Sequence, residues 1–155
     1  MVRTALLWSS LVFGALDGRA EVDTSLLLTP LIAGQTINIG TLRCGVDPAR
    51  PDVGACVGQV SDGWCLSLAH LYVGLEPPST MAPGQFPYRQ SANGCAPQIR
   101  VDFRLPRVCR GQPYVVAFHA EASRAGQNET AWGQGSPTGR NWSMTTGFSC
   151  RPADT

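Results

Sequence analysis

The sequence predicts an all-β fold: a single β-sandwich, jelly-roll-like, stapled by three disulfides. Three observations predict it. Glycine and proline, 17 and 12 of the 155 residues, punctuate the chain at short intervals, and no helical period persists beyond a turn or two. Several segments alternate apolar and polar residues in the manner of half-buried strands. Six cysteines, at positions 44, 56, 65, 95, 109 and 150, form an even set suited to an oxidising compartment.

The first twenty residues have the form of a secretory signal. Arg3 supplies the positive charge, Ala5 to Leu16 the apolar stretch, and Gly18 and Ala20 the small residues of a cleavage site. A buried helix or a membrane anchor is the competing reading. The apolar stretch is well short of the roughly 20 residues that a membrane span needs. Cleavage after Ala20 leaves residues 21–155 as one secreted domain, a length that suits a single core. No later segment is apolar enough to cross a bilayer.

Residues 21–34 read as a lead-in that packs Leu26, Leu27, Leu28 and Ile32 on the domain. Gln35 to Val46 and Val53 to Val60 read as strands around the proline turn Asp47 to Asp52. Trp64 to Gly74 is the longest run. Simple alternation puts Trp64, Leu66, Leu68, His70 and Tyr72 on one face and Cys65, Ser67, Ala69, Leu71 and Val73 on the other. Leu75 to Asn93 reads as a long proline-rich loop. In Ile99 to Leu105 the apolar residues face inward and Arg100, Asp102 and Arg104 face water. Tyr114 to Ser123 is a further strand with Tyr114, Val116, Phe118 and Ala120 on one face. Arg124 to Asn141 reads as a second, glycine-rich loop, and Trp142 to Cys150 as the closing strand.

Strand order suggests the disulfides. Cys44 and Cys56 lie on strands joined by a turn, and Cys109 and Cys150 border two late strands, which leaves Cys65 with Cys95. There is no CxxC pair, and the spacings fit no zinc template, no EF-hand and no phosphate-binding loop, so no metal or cofactor is expected. The net charge of +1 gives no encouragement to nucleic-acid binding. All 12 basic residues are arginine. A GC-rich genome explains that, and so would recognition of carboxylate, sulfate or phosphate by planar guanidinium groups.

Four stretches carry a resemblance: His70 to Gly74 (HLYVG), Pro83 to Tyr88 (PGQFPY), Ala117 to Ala122 (AFHAEA) and Glu129 to Gly133 (ETAWG). In that order they resemble a recurrent β module of secreted and cell-surface proteins, mostly bacterial. Gly34 to Thr41 and the Gly63-Trp64 step look similar too, so the likeness runs over roughly Gly34 to Cys150. The resemblance implies an extracellular β domain and carries over no reaction. Cys44, Cys56 and Cys65 are additions to strands that lack cysteine in that module, and this chain lacks its long flanking repeats.

Two sets of side chains are candidates for function. His70 and His119, the two histidines, with Glu121 or Glu129 suit a general acid/base or metal-assisted hydrolase, with Glu129 the favoured carboxylate; histidines that merely hold loops by hydrogen bonds are the alternative. Trp132, Trp142 and Tyr88, with Glu129 and Arg140, offer flat rings and polar contacts to a sugar; the alternative is that Trp132 anchors its own loop. No nucleophile elbow is present. Sequons at Asn128 and Asn141 are potential glycosylation sites. The expectation is thus a secreted, non-enzymatic binding or structural module whose partner is an extracellular glycan or a surface or matrix protein. A small secreted hydrolase, and an inhibitor or effector presenting Leu75 to Asn93, are the alternatives. The sequence leaves the oligomeric state open.

Overall fold

The computed structural model describes residues 12–13 and 21–152. The expected leader, residues 1–20, therefore lies outside the described residues except for a two-residue strand, β1 (Val12–Phe13), paired with the start of β2. The described chain is nearly all strand: β2 (Val22–Ala33), β3 (Ile37–Val46), β4 (Val53–Val60), β5 (Cys65–Gly74), β6 (Tyr88–Ala96), β7 (Gln98–Arg104), β8 (Pro113–Arg124), β9 (Gln127–Gly133), β10 (Ser136–Pro137) and β11 (Met144–Ser149). No α-helix occurs among the described residues, and no helix there is long and apolar enough to cross a membrane.

Every strand pair is antiparallel, and the sheet folds back on itself as an open sandwich. One half is β6-β5-β8, where β8 shares its far edge between β11 (along Pro113 to Val116) and β9 (along His119 to Arg124). The other half is β2-β3-β4-β7. The end of β9 pairs with the end of β2, Ala131 with Ala33 and Gly133 with Leu31, and this corner joins the halves. Between them lie Leu31, Ile39 and Leu42 from one side and Leu66, Leu71, Tyr114, Val116 and Phe118 from the other. Phe118 reaches across to β4: a Cβ placed at Gly58 would lie 3.1 Å from its Cζ. The glycine gives the ring its seat.

Two tight hairpins set registers, Gly34-Gln35 (φ 54° and 74°) between β2 and β3 and Ala125-Gly126 (47° and 83°) between β8 and β9, while a like turn at Asp62-Gly63 (57° and 83°) carries the chain from β4 in one half to β5 in the other. Such turns match the twist of the strands they join. The disulfides are Cys44–Cys56, Cys65–Cys95 and Cys109–Cys150, the pairs suggested by strand order. Cys44 and Cys56 face each other across β3 and β4, while Cys65–Cys95 ties β5 to β6.

Several boundaries differ from the sequence reading. The lead-in is a 12-residue strand. Pro30 interrupts its pattern yet sits where pairing with β9 has not begun, so no ladder donor is lost. The loop ascribed to Leu75 to Asn93 ends at Pro87, where β6 begins. The loop ascribed to Arg124 to Asn141 contains all of β9. Arg100, expected to face water, is 8% exposed and pairs with Asp102 at 2.8 Å. A bulge between Leu66 and Leu68 corrects the faces of β5. The extra residue sends Leu66 inward with Ala69, Leu71 and Val73, and leaves Leu68, His70 and Tyr72 outside.

Candidate ligand-binding site

The registers bring the stretches singled out in the sequence onto one patch. On the outer face of the β5-β8-β9 sheet, His70 stands opposite His119 and His119 opposite Trp132. The histidine rings are 6.3 Å apart, and His119 meets Trp132 edge-on at 4.8 Å. The loop after β5 folds back over this row. Its Phe86, 7% exposed, packs against Trp132 at 6.2 Å and Tyr72 at 6.3 Å. Ala117, Met81, Trp142 and Met144 complete a small second core, separate from the sandwich interior.

Two rigid walls rise from this patch. The first is the loop from Leu75 to Pro87. It is stiffened by four prolines and a 3-10 turn at Pro83–Gln85, and the Tyr72 hydroxyl donates to the Glu76 carbonyl. The second is the turn from Thr138 to Ser143. Ser143 Oγ lies 2.6 Å from Thr138 Oγ1 and donates to the Arg140 carbonyl at 2.6 Å, and Gly139 and Asn141 take positive φ. Between the walls is a cleft of about 400 Å³, floored by His119, Thr130 and Trp132 and flanked by Met81, Arg140, Asn141 and Trp142. Flat apolar surface with a few placed polar groups is the usual make-up of a small-ligand pocket.

The floor is uncharged at neutral pH. Burial, and then the neighbouring His70, pull the His119 pKa down to about 4. His70 is lowered as well, by burial and by Arg89, with Glu121 opposing. The Nδ1 atoms of both rings are buried without a hydrogen-bond partner. This patch thus holds neutral imidazoles packed among aromatic rings, and the expectation that loop backbone satisfies them fails at Nδ1.

The structure separates Glu129 from the two histidines and keeps Glu121 on their face of the sheet. Glu129 stands opposite Ala122, whose side chain faces the core, so it projects from the other side of the sheet from His70 and His119. Its carboxylate lies against Gly34 and accepts from Gln127 Nε2 at 3.3 Å. Among the described residues no group of three or more His, Cys, Asp or Glu side chains is arranged to hold a metal ion.

The sugar-binding set divides too. Trp142 and Arg140 line the cleft, and Trp132 reaches it as a buried floor rather than an open platform. Glu129 does not reach it. Tyr88 lies elsewhere: its hydroxyl donates to the Arg104 carbonyl at 2.9 Å and its ring sits 6.5 Å from Phe103, a seam between β6 and β7. Asn141 lines the cleft, whereas Asn128 is exposed on β9 opposite Ser123. Sequence reasoning missed Met81 and Phe86; the proline spacing around them was the signal that the loop is stiff.

A second cavity, about 410 Å³, lies beside Cys109, between the Asp23 and Arg151 side chains and Pro48 and Pro51. Comparison with known protein families, with curated proteins and with solved structures finds no match for this chain.

Proposed function

We propose that this chain is a secreted, non-enzymatic binding module acting at a cell surface or in an extracellular matrix, with carbohydrate as its ligand class. The observation that carries the reading is the cleft between the two walls, where half-exposed Trp142 stands beside Arg140 and Asn141 over a buried aromatic floor. Protein sites for sugars need such a flat apolar face with hydrogen-bonding groups at its rim. The three disulfides and the signal-like leader support an extracellular setting. The resemblance to secreted and cell-surface modules agrees with it.

The hydrolase reading has less support, because Glu129 lies across the sheet from the histidines and Glu121, on their own face, forms no metal-holding group with them among the described residues. The inhibitor reading relied on protrusion of Leu75 to Asn93 as a rigid exposed loop, and it has less support because Phe86 of that segment is buried against Trp132 of the sheet. The test is a glycan-array comparison of the secreted protein with its Trp142→Ala variant. Signals that the variant loses support the reading; an array with no signal, or signals indifferent to Trp142, contradicts it.

A further inference from the structure

We propose that the groove on either side of Arg140 binds acidic polysaccharide, with the Arg140 guanidinium reading a uronic-acid carboxylate. The inference rests on the binding-module reading above and narrows it to a ligand chemistry.

The cleft does not end at Arg140. A second cleft of about 360 Å³ continues from it, bounded by Pro77, Pro78 and Thr138, and the two share Thr80, Met81 and Arg140. The shape is a groove with one arginine at its midpoint, which suits a chain of linked rings rather than a single capped sugar. No aspartate or glutamate lines either part, so the arginine is the one permanent charge along it. No described carboxylate pairs with that guanidinium, which is exposed.

Its backbone, by contrast, is fixed. Arg140 N donates to Thr138 Oγ1 at 3.3 Å, and the Arg140 carbonyl accepts from Ser143. A planar guanidinium in a cleft that Trp142 also lines matches a ring-borne carboxylate, since its parallel N–H groups reach both oxygens. Sulfate esters offer the same charge with tetrahedral oxygens, and the test separates the two.

Oligogalacturonate is titrated calorimetrically into the full secreted protein at physiological salt. Its methyl ester, sulfated dextran and poly-glutamate serve as comparators. The acid should bind at least about tenfold more tightly than the ester, the increment of a charge-assisted pair. Arg140→Gln should abolish that preference, and Arg140→Lys should restore only part of it. Thermal melting of both variants should match the parent, since the side chain is exposed.

Equal affinity for acid and ester overturns the inference, as does preference for sulfated dextran or poly-glutamate, or an unaffected Arg140→Gln. If neutral glycans bind through Trp142 and the carboxylate adds nothing, the inference fails and the binding-module reading stands. If no saccharide binds, both fail.

Discussion

His119 and Trp132 face each other across the β8–β9 ladder, their ring centroids 4.8 Å apart and their planes inclined at 67°. The contact exists because the Ala125-Gly126 turn fixes the register and because both residues fall on the outward parity of their strands. Phe86 then closes over the indole from the loop. This aromatic cluster is a structural platform against which Trp142 packs at the rim of the cleft.

Removing the platform should cost stability as well as binding. Trp132→Ala deletes a ring that is 5% exposed and should destabilise the fold by about 3–5 kcal/mol. Urea denaturation of the two proteins measures it. A loss under about 1 kcal/mol would mean that the loop and the sheet do not pack as described.

His119 makes stability depend on pH. Its folded pKa, about 4, lies below the unfolded value of 6.5, so the unfolded chain binds the proton more tightly. Its contribution is full above about pH 6.5, declines as pH falls, and is lost near pH 4, at a cost of about 3 kcal/mol. His119→Gln should flatten this part of the profile. An unchanged slope between these limits would show that the imidazole is not held neutral by burial.

The turn at Ala125-Gly126 places an alanine at φ 47°, a region that disfavours a Cβ. Asparagine tolerates it, and Asn-Gly is the preferred pair for such turns. Ala125→Asn should therefore stabilise the protein by about 0.5–1 kcal/mol, read as a higher melting temperature. A lower melting temperature would indicate a different turn.

Much of the fold was legible because its signals are local. The alternation of Tyr114, Val116, Phe118 and Ala120, all at most 2% exposed, is visible in the sequence. So is the Asp62-Gly63 turn, and so is the order of cysteines that gives the disulfides. The site was legible only in pieces. His70 reaches the outer face because a bulge near Ser67 shifts its strand, and nothing in the run WCLSLAHLYVG announces an extra residue. Trp132 reaches it because β9 returns through Ala-Gly, a weaker turn signal than Asn-Gly, so the segment reads as loop. Tyr88 reads as a ligand platform because the proline-rich segment around it reads as loop, and nothing local signals its partner Arg104, 16 residues away.

The disulfides should differ in accessibility. Cys44, Cys56, Cys109 and Cys150 are all buried, whereas Cys95 is exposed and Cys65 half-buried. Mild reductant followed by alkylation and mass mapping should open Cys65–Cys95 first. The Cys65→Ser/Cys95→Ser variant, which frees a 30-residue loop, should lose about 3–4 kcal/mol on the loop-entropy account. Earlier opening of Cys44–Cys56 would contradict the burial of that bridge between the two halves of the sandwich.

The central question is where a ligand binds. Chemical-shift mapping by NMR, with the oligogalacturonate or with any glycan the array selects, answers that question in one titration. The indole N–H signals of Trp132 and Trp142 and the backbone signals of Thr138 to Ser143 should move together and saturate. Shifts confined to the surroundings of Asp23 and Arg151, with the two tryptophans unmoved, would contradict the assignment of the site.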